Sequence, residues 1–222
     1  MNSRKVPLVI GEYYHIFNRG VAKSPTFLTK NDYKQAVASL FYYMEVNPLM
    51  KFSRFKKLLI NEKDSVLKRS IDSDKLVELI CYCFMPNHFH LLVKQLVKNG
   101  ISIFLSRFAN SYTKYFNTKN ERVGPLFQGI FKSVHVETEG QLFHLSRYIH
   151  LNPLTSFTIS ENDFLSYPWS SLKEYLEGKK GLVNTKPVLS EFSSPKKYLD
   201  FVLDQKDYQR KLNNIKHLLT ES

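Results

Sequence analysis

Apolar and aromatic positions along the chain fall into segments whose spacing alternates between the two-residue period of a strand and the 3.6-residue period of a helix. Tyr13-Tyr14-His15-Ile16-Phe17 is an aromatic and β-branched run closed by Asn18-Arg19-Gly20, which predicts a strand and a turn. Tyr33, Val37, Leu40, Phe41 and Met44 recur at helical spacing behind Thr29 or Asn31 as cap, and the helix stops before Asn47-Pro48. Lys75 to Phe84 and His88 to Lys94 are strand-like, and Met85-Pro86-Asn87 between them favours a tight turn, so the pair reads as a hairpin. Ile101, Leu105, Phe108, Tyr112 and Tyr115 mark another helix, which Gly124-Pro125 separates from a strand over Phe127 to Val136. Gln141 to Asn152 then predicts a helix with Leu142, Leu145, Ile149 and His150 in register, stopped by Asn152-Pro153.

With an extra basic helix after the first one, this order is the split βαββαβ arrangement of a ferredoxin-like sandwich. That is an α+β fold with an antiparallel sheet and helices on one face. The extra segment reads as a basic insertion over about 48–74 within a domain of residues 1–155. After Leu154 the texture changes: Tyr167-Pro168-Trp169, Gly178 to Gly181 and Ser193-Ser194-Pro195 punctuate short helical pieces. Residues 156–222 therefore read as a helical C-terminal appendage folded back on the core. No repeat or low-complexity tract is visible.

A chain of 222 residues, 43% hydrophobic and 23% charged, is long enough and apolar enough to bury a core without staples. The net charge of +12 and pI near 9.5 fit a polyanionic partner, nucleic acid or an anionic membrane surface. Aromatic residues make up 14%, and aromatics beside a basic surface favour unpaired bases over duplex. No apolar run approaches the ~18 residues of a membrane span, and Met1 to Gly11 reads as no signal peptide. Cys81 and Cys83 stand too close together for an ordinary structural disulfide, which fits a reducing, cytoplasmic setting. Charge is also local: residues 50–70 hold seven basic groups against two acids, and 101–134 five against one. The first stretch is either a solvated helix face or a set of phosphate contacts.

Three groups of residues bear chemistry. On a strand, His88 and His90 share one face about 7 Å apart, with Phe89 pointing to the other layer; two imidazoles so placed either hold a divalent metal or are ordinary strand histidines. Cys81 and Cys83 lie across the hairpin from them, which raises a Cys/His zinc site, although Cys-Tyr-Cys on a strand lacks the usual zinc spacing and packed hydrophobes are the alternative. Tyr148 and Asn152, four apart on a helix, are a nucleophile and a metal ligand or a core tyrosine and a C-cap.

Met85-Pro86-Asn87-His88-Phe89-His90-Leu91-Leu92 resembles the signature of the HUH single-strand transposases that use one tyrosine, the insertion-sequence-200-like group. Phe127-Gln128-Gly129-Ile130-Phe131, Tyr148-Ile149-His150-Leu151-Asn152-Pro153 and the N-terminal His15-Ile16-Phe17-Asn18-Arg19-Gly20 resemble further blocks, and together they span about residues 8–155. Tyr167-Pro168-Trp169-Ser170-Ser171 with Tyr175-Leu176 is similar to the REP-associated branch. The resemblance implies Mg²⁺ or Mn²⁺ held by His88, His90 and Asn152, and attack of Tyr148 on a DNA phosphorus to give a 5′-phosphotyrosine and a free 3′-OH. It implies single-stranded or hairpin DNA as partner, no membrane, a monomer or homodimer, and a bacterial cytoplasmic location on the nucleoid. Arg19, Lys51, Arg54, Lys56, Lys57, Arg107, Lys114 and Lys132 are the candidates for DNA contacts. Two other readings compete: a catalytically inactive single-strand binder, and a small zinc protein built on Cys81, Cys83, His88 and His90.

Overall fold

A computed structural model describes residues 7–71, 73–178, 181 and 183–206. Residues 1–6, Lys179 and Lys180 of the Gly178–Gly181 break, and the appendage beyond residue 206 lie outside them. Four antiparallel strands form one sheet: β1 (Tyr13–Arg19), β2 (Val77–Met85), β3 (His88–Gln95) and β4 (Lys132–Val136), in the order β2-β3-β1-β4. The inner strand β3 is largely buried on both faces, which explains its unbroken apolar stretch Leu91-Leu92-Val93. The outer strand β4 is short and leaves Lys132 and Val134 exposed, a protected kind of edge.

Pro86 and Asn87 make the two-residue turn of the β2–β3 hairpin, as the sequence predicts. The loop after β1 holds that turn in place: Thr26 and Phe27 donate backbone N–H bonds to the Pro86 carbonyl, and Gly20 donates to that of Asn87. A Cβ at Gly20 would run into the Ser24 carbonyl, so only glycine fits this close backbone approach.

Cross-strand register sorts the hairpin side chains into two layers. Phe84 and Phe89 are paired and face α1 (Lys30–Tyr42) and α4 (Gly100–Lys119), where they meet Phe27, Phe108 and Phe127 in edge-to-face or tilted contacts. α1 opens on a capping box in which Thr29 accepts from the Asp32 N–H and the Asp32 carboxylate accepts from that of Thr29. Cys83 with His90, and Met85 with His88, point to the opposite face. That face is covered by α5 (Glu139–Thr155), which lies across β2 and β3 and touches β4.

Four sequence expectations are corrected. The helices do not share one face: α1 and α4 cover one side and α5 the other, because α5 follows the βαββαβ core and is free to cross beneath it. The strand expected over Phe127 to Val136 begins only at Lys132; Phe127 makes a single bridge to Gly20, with its ring buried against the α4 layer, and Gly129 turns the chain at a φ of 58°. Pro153 does not stop α5, which runs on to Thr155, because buried Leu154 and Thr155 hold the last turn and the Ser156 N–H still reaches the Asn152 carbonyl. The basic segment is two helices, α2 (Phe52–Phe55) and α3 (Ile60–Ile71), with Phe52 buried against Tyr42 and Phe55.

The tail is stitched to the core along its described length. It carries α6 (Leu172–Glu177), α7 (Lys186–Leu189) and α8 (Pro195–Asp204). Phe84 donates its N–H to the Trp169 carbonyl, and the Tyr175 hydroxyl donates to that of Ile80, so the tail completes the β2 side of the sheet. His150, fully buried on α5, bonds Tyr198 of α8 at 2.7 Å and Ser171 at 2.8 Å.

Candidate active site

Strand alternation puts His88 and His90 on the sheet face below α5, their ring centroids 4.9 Å apart and nearly perpendicular. Each ring has its Nδ1 engaged. Asn87 Oδ1 lies 2.6 Å from His88 Nδ1, and His15 Nε2 lies 2.9 Å from His90 Nδ1. In each ring this leaves Nε2 as the nitrogen that could face a cation. Burial lowers the pKa of His88 to about 4, with the Arg19 charge adding to it. Burial drives His90 well below the usual histidine range too, and His88, His15 and Arg19 add to that. Both imidazoles are therefore neutral at pH 7, the form that binds metal.

α5 supplies the other half. Thr138 caps its N-terminus by accepting from the Gln141 N–H, and the helix then carries Tyr148 over the histidines: its ring lies 5.5 Å from that of His90 and 6.1 Å from that of His15. Asn152, one turn on and almost fully buried, hydrogen-bonds the Tyr148 hydroxyl. Burial raises the Tyr148 pKa, while Asn152 and the positive Arg19 oppose that rise by favouring the phenolate. The expected site residues His88, His90, Tyr148 and Asn152 thus converge from two elements. Two neutral imidazoles and a carboxamide, without a thiolate, suit a divalent ion that also takes phosphate oxygens.

The cysteines stand apart from this chemistry. Cys81 and Cys83 are free thiols, fully buried, with pKa values raised by burial, and the Cys83 thiol sits 3.7 Å from the Met85 sulfur. Among the described residues no group of three or more His, Cys, Asp and Glu side chains is placed to hold one metal ion. The four-residue Cys/His zinc site is not formed.

The basic candidates divide between two places. Arg19, exposed at the end of β1, lies near enough to His88, His90 and Tyr148 to shift all three electrostatically. Lys132 pairs across the sheet with Phe17, its Nζ 6.0 Å from that ring. On the other side of the sheet, Lys51, Lys56, Lys57, Arg107, Lys114 and Lys119 line a groove of about 1190 Å³ between α1, α2 and α4, with no acidic side chain in its wall. Arg54 is exposed on α2 outside that wall. Arg107 has a structural duty as well, donating to the carbonyls of Glu45 and Val46.

Sequence reasoning missed His15 and Asn87 as site residues. Asn87 had a local signal, since it precedes the His-x-His pair directly. His15 had none beyond its place in the first block: it meets His90 only because β1 and β3 pair with Phe17 opposite His90.

A histidine-bearing antiparallel sheet faced by a helical tyrosine defines an α+β sandwich with one two-sided site. The family model described as Transposase IS200 like matches residues 48–152, just under half of the chain, from the basic segment through Asn152. Over these residues the chain is similar to IS200-like transposases. The matched stretch leaves out β1, with His15 and Arg19, although β1 is an inner strand of the same sheet. A solved structure of a REP-associated tyrosine transposase bound to a REP hairpin is similar in fold, with 15% identity, a TM-score of 0.52, and coverage of 83% of this chain and 90% of that one. No curated protein matches the chain.

Proposed function

We propose that this protein is a DNA transposase that cleaves and rejoins single-stranded, hairpin-ended DNA through a 5′-phosphotyrosine on Tyr148, with a divalent cation at His88, His90 and Asn152. The observation that carries the reading is the convergence of the neutral histidine pair on β3 with Tyr148 and Asn152 on α5. A phenol of pKa ~10 is a weak nucleophile at neutral pH, and burial raises that of Tyr148 further. The Asn152 hydrogen bond and the Arg19 charge both stabilise its deprotonated form, and Arg19 also favours the nearby phosphate. A bound Mg²⁺ or Mn²⁺ supplies Lewis-acid polarisation of the scissile phosphoryl group.

In the forward step Tyr148 loses its proton, the Oη–P bond forms, and the P–O3′ bond breaks with its electron pair on the 3′ oxygen, which takes up a proton. Rejoining reverses this with a 3′-OH as nucleophile. The end of β1 and the start of β4, with Phe17, Arg19 and Lys132, give the reacting strand a basic and aromatic approach to Tyr148. The acid-free groove of Lys51, Lys56, Lys57 and Lys114 takes sugar-phosphate backbone away from the reaction. The REP hairpin in the similar structure supports a hairpin as the DNA form.

Labelled single-stranded hairpins drawn from sequence flanking the gene, incubated with Mn²⁺ or EDTA, test this on denaturing gels. A metal-dependent covalent adduct is expected with wild type and none with Tyr148→Phe, which retains DNA binding. An adduct formed by Tyr148→Phe, or by wild type in EDTA, would refute the site assignment. Binding with no adduct on any hairpin would favour an inactive single-strand binder.

A further inference from the structure

His15 has a part in the site that the motif carrying His88 and His90 does not contain. Its Nε2 lies 2.9 Å from His90 Nδ1, the two rings are stacked with centroids 5.1 Å apart, and its ring stands T-shaped to that of Tyr148. β1 is fixed against β3 over seven register pairs, so this contact is built into the middle of the sheet.

We propose that His15 is a positioning residue for the metal site: its Nε2 accepts the Nδ1–H of His90 and fixes the tautomer in which His90 Nε2 holds the lone pair toward the cation. The proposal rests on the reading of His88 and His90 as ligands. The chemistry of the pair gives only two arrangements. If His15 donates instead, His90 must carry its proton on Nε2, and that nitrogen can no longer coordinate. If His15 accepts, His90 presents Nε2, as His88 already does, because its partner Asn87 Oδ1 is an acceptor and forces the His88 proton onto Nδ1. Asn87 and His15 are thus two orienting groups, one for each ligand. Such partners restrict ring rotation and raise ligand basicity, and their loss typically weakens metal binding by about 10–100-fold.

The test is Mn²⁺ affinity, measured by the electron paramagnetic resonance signal of free Mn²⁺, for wild type, His15→Leu, His15→Gln and His90→Ala, with thermal unfolding of each. His15→Leu keeps an apolar side chain without an acceptor and is expected to bind Mn²⁺ about 10–100-fold more weakly. His15→Gln supplies Oε1 as acceptor and is expected to restore most of that loss. Equal weakening by Leu and Gln would assign His15 to packing and overturn the proposal. A loss in His90→Ala with none in His15→Leu would overturn the proposal alone, while unchanged binding in His90→Ala would remove the metal reading with it. Histidine ¹⁵N spectra of the wild type decide independently of any variant's folding: a protonated Nδ1 on His90 is expected, and a protonated Nε2 would overturn the proposal.

Discussion

Lowering the pH from 7 to 5 should destabilise this fold steeply, and His150 lets one part of the effect be isolated. The ring is fully buried between Tyr198 and Ser171, and burial lowers its pKa to about 3 from an ordinary 6.5. Below pH 6.5 the unfolded chain takes up a proton there and the folded chain does not, so stability falls as pH falls until about pH 3. Each unit of pH in that window costs about 1.4 kcal/mol, or roughly 2 kcal/mol at pH 5. His150→Leu removes this titration. It also removes two hydrogen bonds, but leaves Tyr198 bonded to Ser146 and Ser171 bonded to Tyr82, so the cost at pH 7 should be limited to about 1–3 kcal/mol. Urea unfolding in EDTA at pH 7, 6 and 5 measures both quantities. Between pH 7 and 5 the variant should lose about 2 kcal/mol less than wild type. Parallel losses would show that His150 does not stay neutral in the folded protein, and the burial argument would fail.

Two more outcomes follow from the layers on the far side of the sheet. Phe89 is almost fully buried among Phe84, Phe108 and Phe127, so Phe89→Ala should cost about 3–5 kcal/mol in urea unfolding without altering the spacing of the histidines, whose side chains face the other way. Replacing Lys51, Lys56, Lys57 and Lys114 together by Ala should reduce the slope of log affinity for hairpin DNA against log salt by about 3; an unchanged slope would take the DNA off that groove.

Much of the site was legible in the chain because its pieces are local. His88 and His90 are two apart on a strand, Tyr148 and Asn152 one turn apart on a helix, and Pro86-Asn87 closes the hairpin that brings β3 back beside β2. Those relations depend only on the periods of strand and helix and on turn chemistry, so spacing alone determined them. The extent of β4 and the end of α5 were not legible, since packing overrode the local signals: Phe127 extends the apolar pattern but its ring is buried in the α4 layer, and Pro153 is carried within a helix held by buried neighbours.

What only the tertiary structure decided is how the pieces meet. α5 lies on the sheet face opposite α1 and α4, which brings Tyr148 over His90, sets Arg19 beside both, and sends most of the helical basic residues to a groove on the other side. The contact between His15 and His90 spans 75 residues of sequence and arises from the β1–β3 register. A pairing between distant strands leaves no period in the sequence, because it is set by the sum of all the burial in the sheet.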